Sequence, residues 1–443
     1  MQKEMPLVIM ALFVIALAIA FPCLEANIGE LDEYLQARAK QAHRAALEAY
    51  EPDPLNVTSE LNFHVHLAMD EVNTNTTRGR DLREKKNRKK RCQATNPIDR
   101  CWRCDPNWEK NRFKLASCAM GFGRKATGGL GGKIYVVTDS SDDDVVNPKP
   151  GTLRHGVIQK GPLWIIFARS MVIKLKEELL VSSDKTIDGR GANVAIRNGA
   201  GISLQFVNNV IIHNLRIRNI KPKNGGIIRD SVDHLSLRTR SDGDAIGLFG
   251  ATNIWIDHIS LANAEDGLID VIMASTGVTI SNCHMTKHND VMLFGGGEVY
   301  RQDKVMQVTV AFNHFGNGLI QRMPRCRYGF FHVVNNDYTH WIMYAIGGSS
   351  APTILSQGNR FIAPNNDVTK LITNRVGTQP SAWKDWQWQS EMDQLDNGAV
   401  FVQSGSPITS VDRSSLIPPR HGIEAPLLAR YSGALACRAG KRC

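Results

Sequence analysis

The feature that most constrains the fold of this 443-residue chain is a strand-bearing pattern that returns every 23 to 24 residues. From about Asn96 onward, short β-rich runs cut by Gly, Asn and Asp can be laid over one another. Val210–Ile217 matches Ile254–Leu261, Val278–Met285 matches Val308–Phe315, and Phe331–Tyr338 follows. Ile259 and Cys283 stand 24 apart at equivalent positions, while Asn313, Asn336 and Asn359 follow at intervals of 23. A repeat of that length, with no helix between its strands, marks a β-solenoid whose coils bury inward aliphatics and stack on their neighbours. In-register asparagines then hydrogen-bond their amides into a ladder at a bend. A sandwich or barrel predicts no fixed register. The expected fold is all-β, a right-handed parallel β-helix with a small helical appendage at the amino end.

The appendage differs in texture. Glu30–Tyr50 reads as a helix, with Leu31, Tyr34, Leu35, Ala42, Ala45 and Ala46 near helical spacing and Pro52 and Pro54 ending it. Lys3 ahead of the apolar run Met5–Phe21 reads as an export signal, too short for a comfortable membrane span, with cleavage near Ala26. The expected division is a signal peptide over 1–26, the appendage over 27–95 and the solenoid with a carboxyl-terminal extension over 96–443. Arg83–Arg91 reads as a solvated basic linker, with a dibasic processing site or a wall-polymer anchor as alternatives. No second long apolar run follows, so the mature protein is expected to be soluble, extracellular, free of membrane contact and monomeric.

Once Cys23 leaves with the signal, eight cysteines remain, four of them between 92 and 118 and two at the carboxyl end. That crowding in an exported chain points to disulfides that staple loops to the body. Cys101 and Cys104 form a CxxC with no second pair at zinc spacing, so a zinc site is rejected. Asn56 and Asn75 open glycosylation sequons. The formal charge of +10 and pI near 9.1 favour an acidic partner. A nucleic-acid binder accounts for the charge but not for the signal, the sequons or the carboxylates described next.

Asp242-Gly-Asp244 puts two carboxylates on one side of an extended segment, since side chains alternate with period two. Asp266, 24 residues beyond Asp242, and Asp270 lie one coil further on. Stacked coils stand about 4.8 Å apart, so groups one repeat apart become neighbours. One Asp-Gly pair merely makes a turn. A set in coil register repels itself unless it holds a cation, and oxygen-only ligands suit Ca2+. Asn317–Arg327 then places Arg322, Arg325 and Arg327 within six positions. Strand alternation points Arg325 away from Arg322 unless Pro324 breaks the pattern. Guanidinium groups attract carboxylates, so a polymer made of carboxylates fits between the arginines and the cation. No G-x-S-x-G is present and the histidines are scattered, so a Ser-His-Asp arrangement has no support.

At these residues the chain resembles the plant pectate lyases of polysaccharide lyase family 1. The resemblance runs from about Asn96 to about Asn366 and rests on Cys118–Arg124, Asn147–His155, Thr186–Gly191, Ser241–Ile246, Ile254–His258, Asp266–Asp270 and the arginine stretch. It implies a parallel β-helix and calcium-dependent β-elimination of de-esterified polygalacturonate, leaving a 4,5-unsaturated sugar end. The family's base falls on Arg322, its uronate-binding arginine on Arg327, and its calcium positions on Asp242, Asp266 and Asp270 with Asp244 assisting. Two departures stand out: Asp290 occupies a lysine place, and Gly296 a histidine place. Ile259 and Cys283 replace ladder asparagines, which is expected to loosen those coils and leave Cys283 a buried thiol. Two alternatives remain. A pectin hydrolase on the same scaffold leaves Arg322 without a role, and a catalytically weak, pectate-binding, allergen-like homologue draws on the two departures.

Overall fold

Each coil runs through three short strands joined by bends. Thr252–Asp257, Ser260–Ala262 and Ile269–Ile272 form one coil, and Thr276–Ser281, His284–Thr286 and Met292–Phe294 form the next. The computed structural model describes residues 31–77 (side chains to 72), 92–408 and 416–443, and among these the coils stack into parallel sheets of ten, nine and eight strands. The expected export signal, the Arg83–Arg91 run and the Asn75 side chain lie outside the described residues.

Period-two alternation turns one side of every strand to the interior, and in-register stacking lines those side chains into rows. Ile254, Val278, Val308, Phe331 and Ile354 are successive partners in the ten-stranded sheet, and all are fully buried. Phe315, Tyr338 and Phe361 stack at centroid separations of 4.3 and 4.5 Å, continuing the same principle with rings. The bend between the first and second strands recurs as a left-handed residue, at Asn214, His258, Asn282, Phe312 and Asn335. Such backbone costs most side chains energy, and its repetition is what lets every coil turn at the same level.

The asparagine ladder forms beside that bend. Asn313 N and Nδ2 both donate to Asn336 Oδ1 at 2.9 Å, and Asn336 repeats this on Asn359 at 2.8 and 2.9 Å. Asn313 Oδ1 accepts from Cys283 N at 2.7 Å, so the ladder begins at the thiol position. It ends on Asp393, whose Oδ1 accepts from Asn359 N at 2.7 Å. The carboxylate rung escaped sequence reasoning because it comes 34 residues after Asn359, off the repeat. Asn336→Ala leaves several buried donors and acceptors unpaired, each worth about 1–3 kcal/mol. A loss of roughly 2–4 kcal/mol in chemical denaturation is expected; a change below the error of that measurement would remove the ladder from the stability account.

Asp393 also gives a pH dependence. Burial raises its pKa to about 6, against the pull of hydrogen bonds from Ser356, Ser390 and Asn359. The folded state therefore holds this proton more tightly than the unfolded chain, so its contribution to stability is complete below about pH 4 and is lost as pH rises through about 6. Asp393→Asn should flatten that part of a stability-against-pH curve.

The appendage is two helices. Asp32 caps Glu33–Ala49 by accepting from Leu35 N at 2.9 Å. Pro54, read from sequence only as a stop, opens a second helix, Pro54–Thr77, since proline is well suited to a first turn. Leu55 and Val57 pack with Phe122, Phe330 and Leu355, and Leu61, Val65 and Met69 join a cluster with Trp102 and Trp164. Disulfides Cys92–Cys104, Cys101–Cys118 and Cys437–Cys443 tie the flanking segments. Cys283 is a buried free thiol, and a second one, Cys326, makes the remaining number even. Its inward place on strand Arg325–Arg327 is a core position, which the sequence did not single out.

Candidate active site

Connections leading into the eight-stranded sheet supply the polar groups. Asp242 and Asp244 precede strand Ile246–Phe249, Asp266 precedes Ile269–Ile272, Asp290 precedes Met292–Phe294, and Arg322 precedes Arg325–Arg327. Ile246 pairs with Ile269 and Ile269 with Met292, so residues at this level fall side by side across consecutive coils.

Carboxylate oxygens of Asp242, Asp244 and Asp266 lie within 4.8 Å of one another. Asp244 Oδ1 accepts from Gly267 N at 2.7 Å. A Cβ at Gly267 would stand 2.2 Å from Asp270 Oδ1 and 2.9 Å from Asp244 Oδ1, so only glycine leaves room for both acids here. Burial, then the charges of Asp270 and Asp242, push Asp244 well above the usual carboxylate range; burial, then Asp266 and Asp242, do the same to Asp270. Burial and Asp242 also raise Asp266, with Arg322 opposing. Asp270 Oδ1 is buried with no hydrogen-bond partner among the described residues. Clustered acids, an unpartnered buried oxygen and a glycine-cleared space fit a hard divalent cation with oxygen ligands.

The cationic side lies across the same sheet. Arg322 has φ of 61°, and its carbonyl accepts from Met292 N at 2.7 Å. Arg325 and Arg327 point outward on either side of buried Cys326. Simple alternation pointed Arg325 away from Arg322, but the left-handed backbone at Arg322 breaks the strand pattern before Pro324. The arginines then sit close enough that the charges of Arg325 and Arg322, after burial, lower Arg327 from the ordinary arginine range. Arg327 Nη1 donates to Gly295 O at 2.7 Å, while Arg325 Nε and Arg327 Nε are buried without partners. Arg322 Nε lies 3.0 Å from Asp290 Oδ1, an ion pair too poorly angled for a hydrogen bond.

Thus the structure brings Asp242, Asp244, Asp266 and Asp270 together, with Arg322 facing Asp266 and Asp270 and Arg327 beyond it. A groove of about 520 Å³ opens over Asp266, His288 and Asp290. Two contributors were given no role from sequence, although Tyr344 opens a stretch, Tyr344–Gly348, that fits the family resemblance. Burial raises the Tyr344 hydroxyl, with Arg325 and Arg322 close enough to oppose that shift. Behind Asp242, Arg238 Nη2 donates to buried Glu178 at 3.2 Å. Arg238 belongs to a hairpin, Gly226–Ser231 with His234–Arg238, inserted between coils, so no repeat register marks it.

Comparison with known proteins gives a consistent answer. A family model described as pectate lyase matches residues 115–382, and one described as pectate lyase, N terminus, matches 27–82. A pectate lyase of Lilium longiflorum is 58% identical over 94% of this chain and 95% of its own. Probable pectate lyase 6 of Arabidopsis thaliana is 53% identical over 97% of both chains. The crystal structure of jun a 1, the major allergen from cedar pollen, superposes with a TM-score of 0.74 at 49% identity, covering 77% of this chain and 99% of that one. A thermostable pectate lyase at 18% identity, with a TM-score of 0.54 over 71% of this chain and 96% of its own, shares the fold.

Proposed function

This chain belongs to the pectate lyase family, and from that premise we propose that it cleaves de-esterified (1→4)-α-D-galacturonan by calcium-dependent β-elimination at the site above. The observation that carries the reading is an unpartnered acid oxygen at Asp270 within reach of the Arg322 charge, with unpartnered guanidinium Nε donors at Arg325 and Arg327 next to Arg322. A uronate carboxylate accepts from the guanidinium donors and meets the acid side through a shared divalent cation, whereas a neutral sugar brings no charge to pair with either.

In this proposal Asp242, Asp266 and Asp270 hold Ca2+, with Asp244 assisting. The bound ion would neutralise a uronate carboxylate and acidify the C5 proton of that sugar. Arg322, as the neutral guanidine, takes the C5 proton, the C4–O4 bond breaks with its electron pair leaving on O4, O4 takes up a proton from solvent, and a C4–C5 double bond forms with no net consumption of water. Arg327 holds the carboxylate of a neighbouring uronate. The enzyme works outside the cell, in the wall, as the apolar leader and the disulfides support. No helix among the described residues is long and apolar enough to cross a membrane.

Incubation with polygalacturonate, with and without calcium, tests this through the ultraviolet absorbance of unsaturated products. Saturated fragments alone would mean hydrolysis. Retention on pectate with no absorbance would favour a binding-only homologue, a reading supported by the contact between Asp290 and Arg322.

A further inference from the structure

A second groove, of about 790 Å³, is formed where the amino-terminal helices meet the solenoid. Tyr50, from the turn between the helices, forms one wall; Arg301, Lys304, Tyr328 and Trp386 form the others, and no Asp or Glu lines it. Arg301 and Lys304 are exposed, and among the described residues neither side chain has an ion-pair or hydrogen-bond partner. Their short helix, Arg301–Val305, ends a loop that is anchored at the proposed active site: Gly295 and Gly296 carbonyls accept from Arg327. Tyr328, next in sequence to Arg327, donates its hydroxyl to Glu298 O in that same loop and turns its ring to the groove. One loop therefore borders the uronate-binding arginine on one side and supplies free cations to the groove on the other.

Unpaired cations beside aromatic surfaces suit a ligand with repeated carboxylates and apolar ring faces. We infer that this groove is a second, non-catalytic binding site for acidic polysaccharide, which keeps a long chain on the enzyme between cleavages. The inference rests on the pectate reading for the identity of the polymer.

The test is the full-length double variant Arg301→Ala/Lys304→Ala, compared with Lys110→Ala/Lys133→Ala, which removes the same charge at exposed sites elsewhere. The groove variant should raise KM for long polygalacturonate by about fivefold, the scale of two exposed charge contacts. Its kcat, and all kinetics on a galacturonate trisaccharide, should match the unaltered enzyme. Migration through a polygalacturonate-containing gel in excess chelator should be retarded less than for either comparison protein. Unchanged polymer KM and unchanged retardation would overturn the inference. So would an equal shift in the control variant, because that would reduce the effect to overall charge. If the unaltered protein makes no unsaturated product, the lyase reading fails, and the gel comparison still decides the groove.

Discussion

Replacing Arg322 by alanine is expected to lower kcat on polygalacturonate by on the order of 10²–10⁴-fold, the usual scale for a lost proton-transfer group. The fold should survive, because Arg322 is on the outer face, about a quarter exposed, and contributes no side chain to the core row. KM should change far less than kcat, since the proposed uronate contact at Arg327 remains. Arg322→Lys keeps the charge but loses the planar fork, so it should recover little turnover. Full turnover by Arg322→Ala would remove it from the chemistry and put the base elsewhere in the site. A matching fall in thermal stability would instead make the residue structural.

Asp270→Asn should act in opposite directions with and without calcium. Its pKa is raised in the folded protein by burial and by Asp266 and Asp242. A carboxylate held above its unfolded value stabilises the fold fully below the unfolded pKa, and that contribution is lost as pH rises through the folded pKa. At neutral pH without calcium, Asp270 therefore strains the native state, and the amide should be at least as stable as the carboxylate. With calcium the order reverses. A ligand at a hundred times its dissociation constant adds about 2.7 kcal/mol to stability, and the variant should lose most of that gain along with most of its activity. Thermal melts across a calcium titration, at neutral and mildly acidic pH, read both effects. Equal calcium stabilisation of the two proteins would exclude Asp270 from the ion's ligands, and full activity in excess chelator would exclude the ion from the reaction.

These expectations draw on different depths of legibility. The solenoid was readable because coil length is written as a sequence period: strands paired in space, such as Ile254 with Val278, sit at equivalent repeat positions. The acid set was readable for the same reason, since Asp242 and Asp266 differ by one coil. Arg322 shows where that logic weakens. Alternation describes regular strands, and it fails at a residue whose φ of 61° turns the chain before Pro324.

Inserted elements leave the register altogether. Arg238 reaches Glu178 from a hairpin between coils, and Asp393 closes the asparagine ladder after a longer coil. The second thiol, Cys326, became a core residue only because its strand faces that way.

By itself, the sequence determined the repeating architecture, the acidic and basic groups and their coil-to-coil alignment, because a parallel solenoid maps separation along the chain directly onto distance. Tertiary structure decided what each group meets: Asp290 against Arg322, Gly267 between two acids, and the helical appendage beside the Arg301 loop. Those contacts depend on bends, insertions and docking, for which no periodic signal exists.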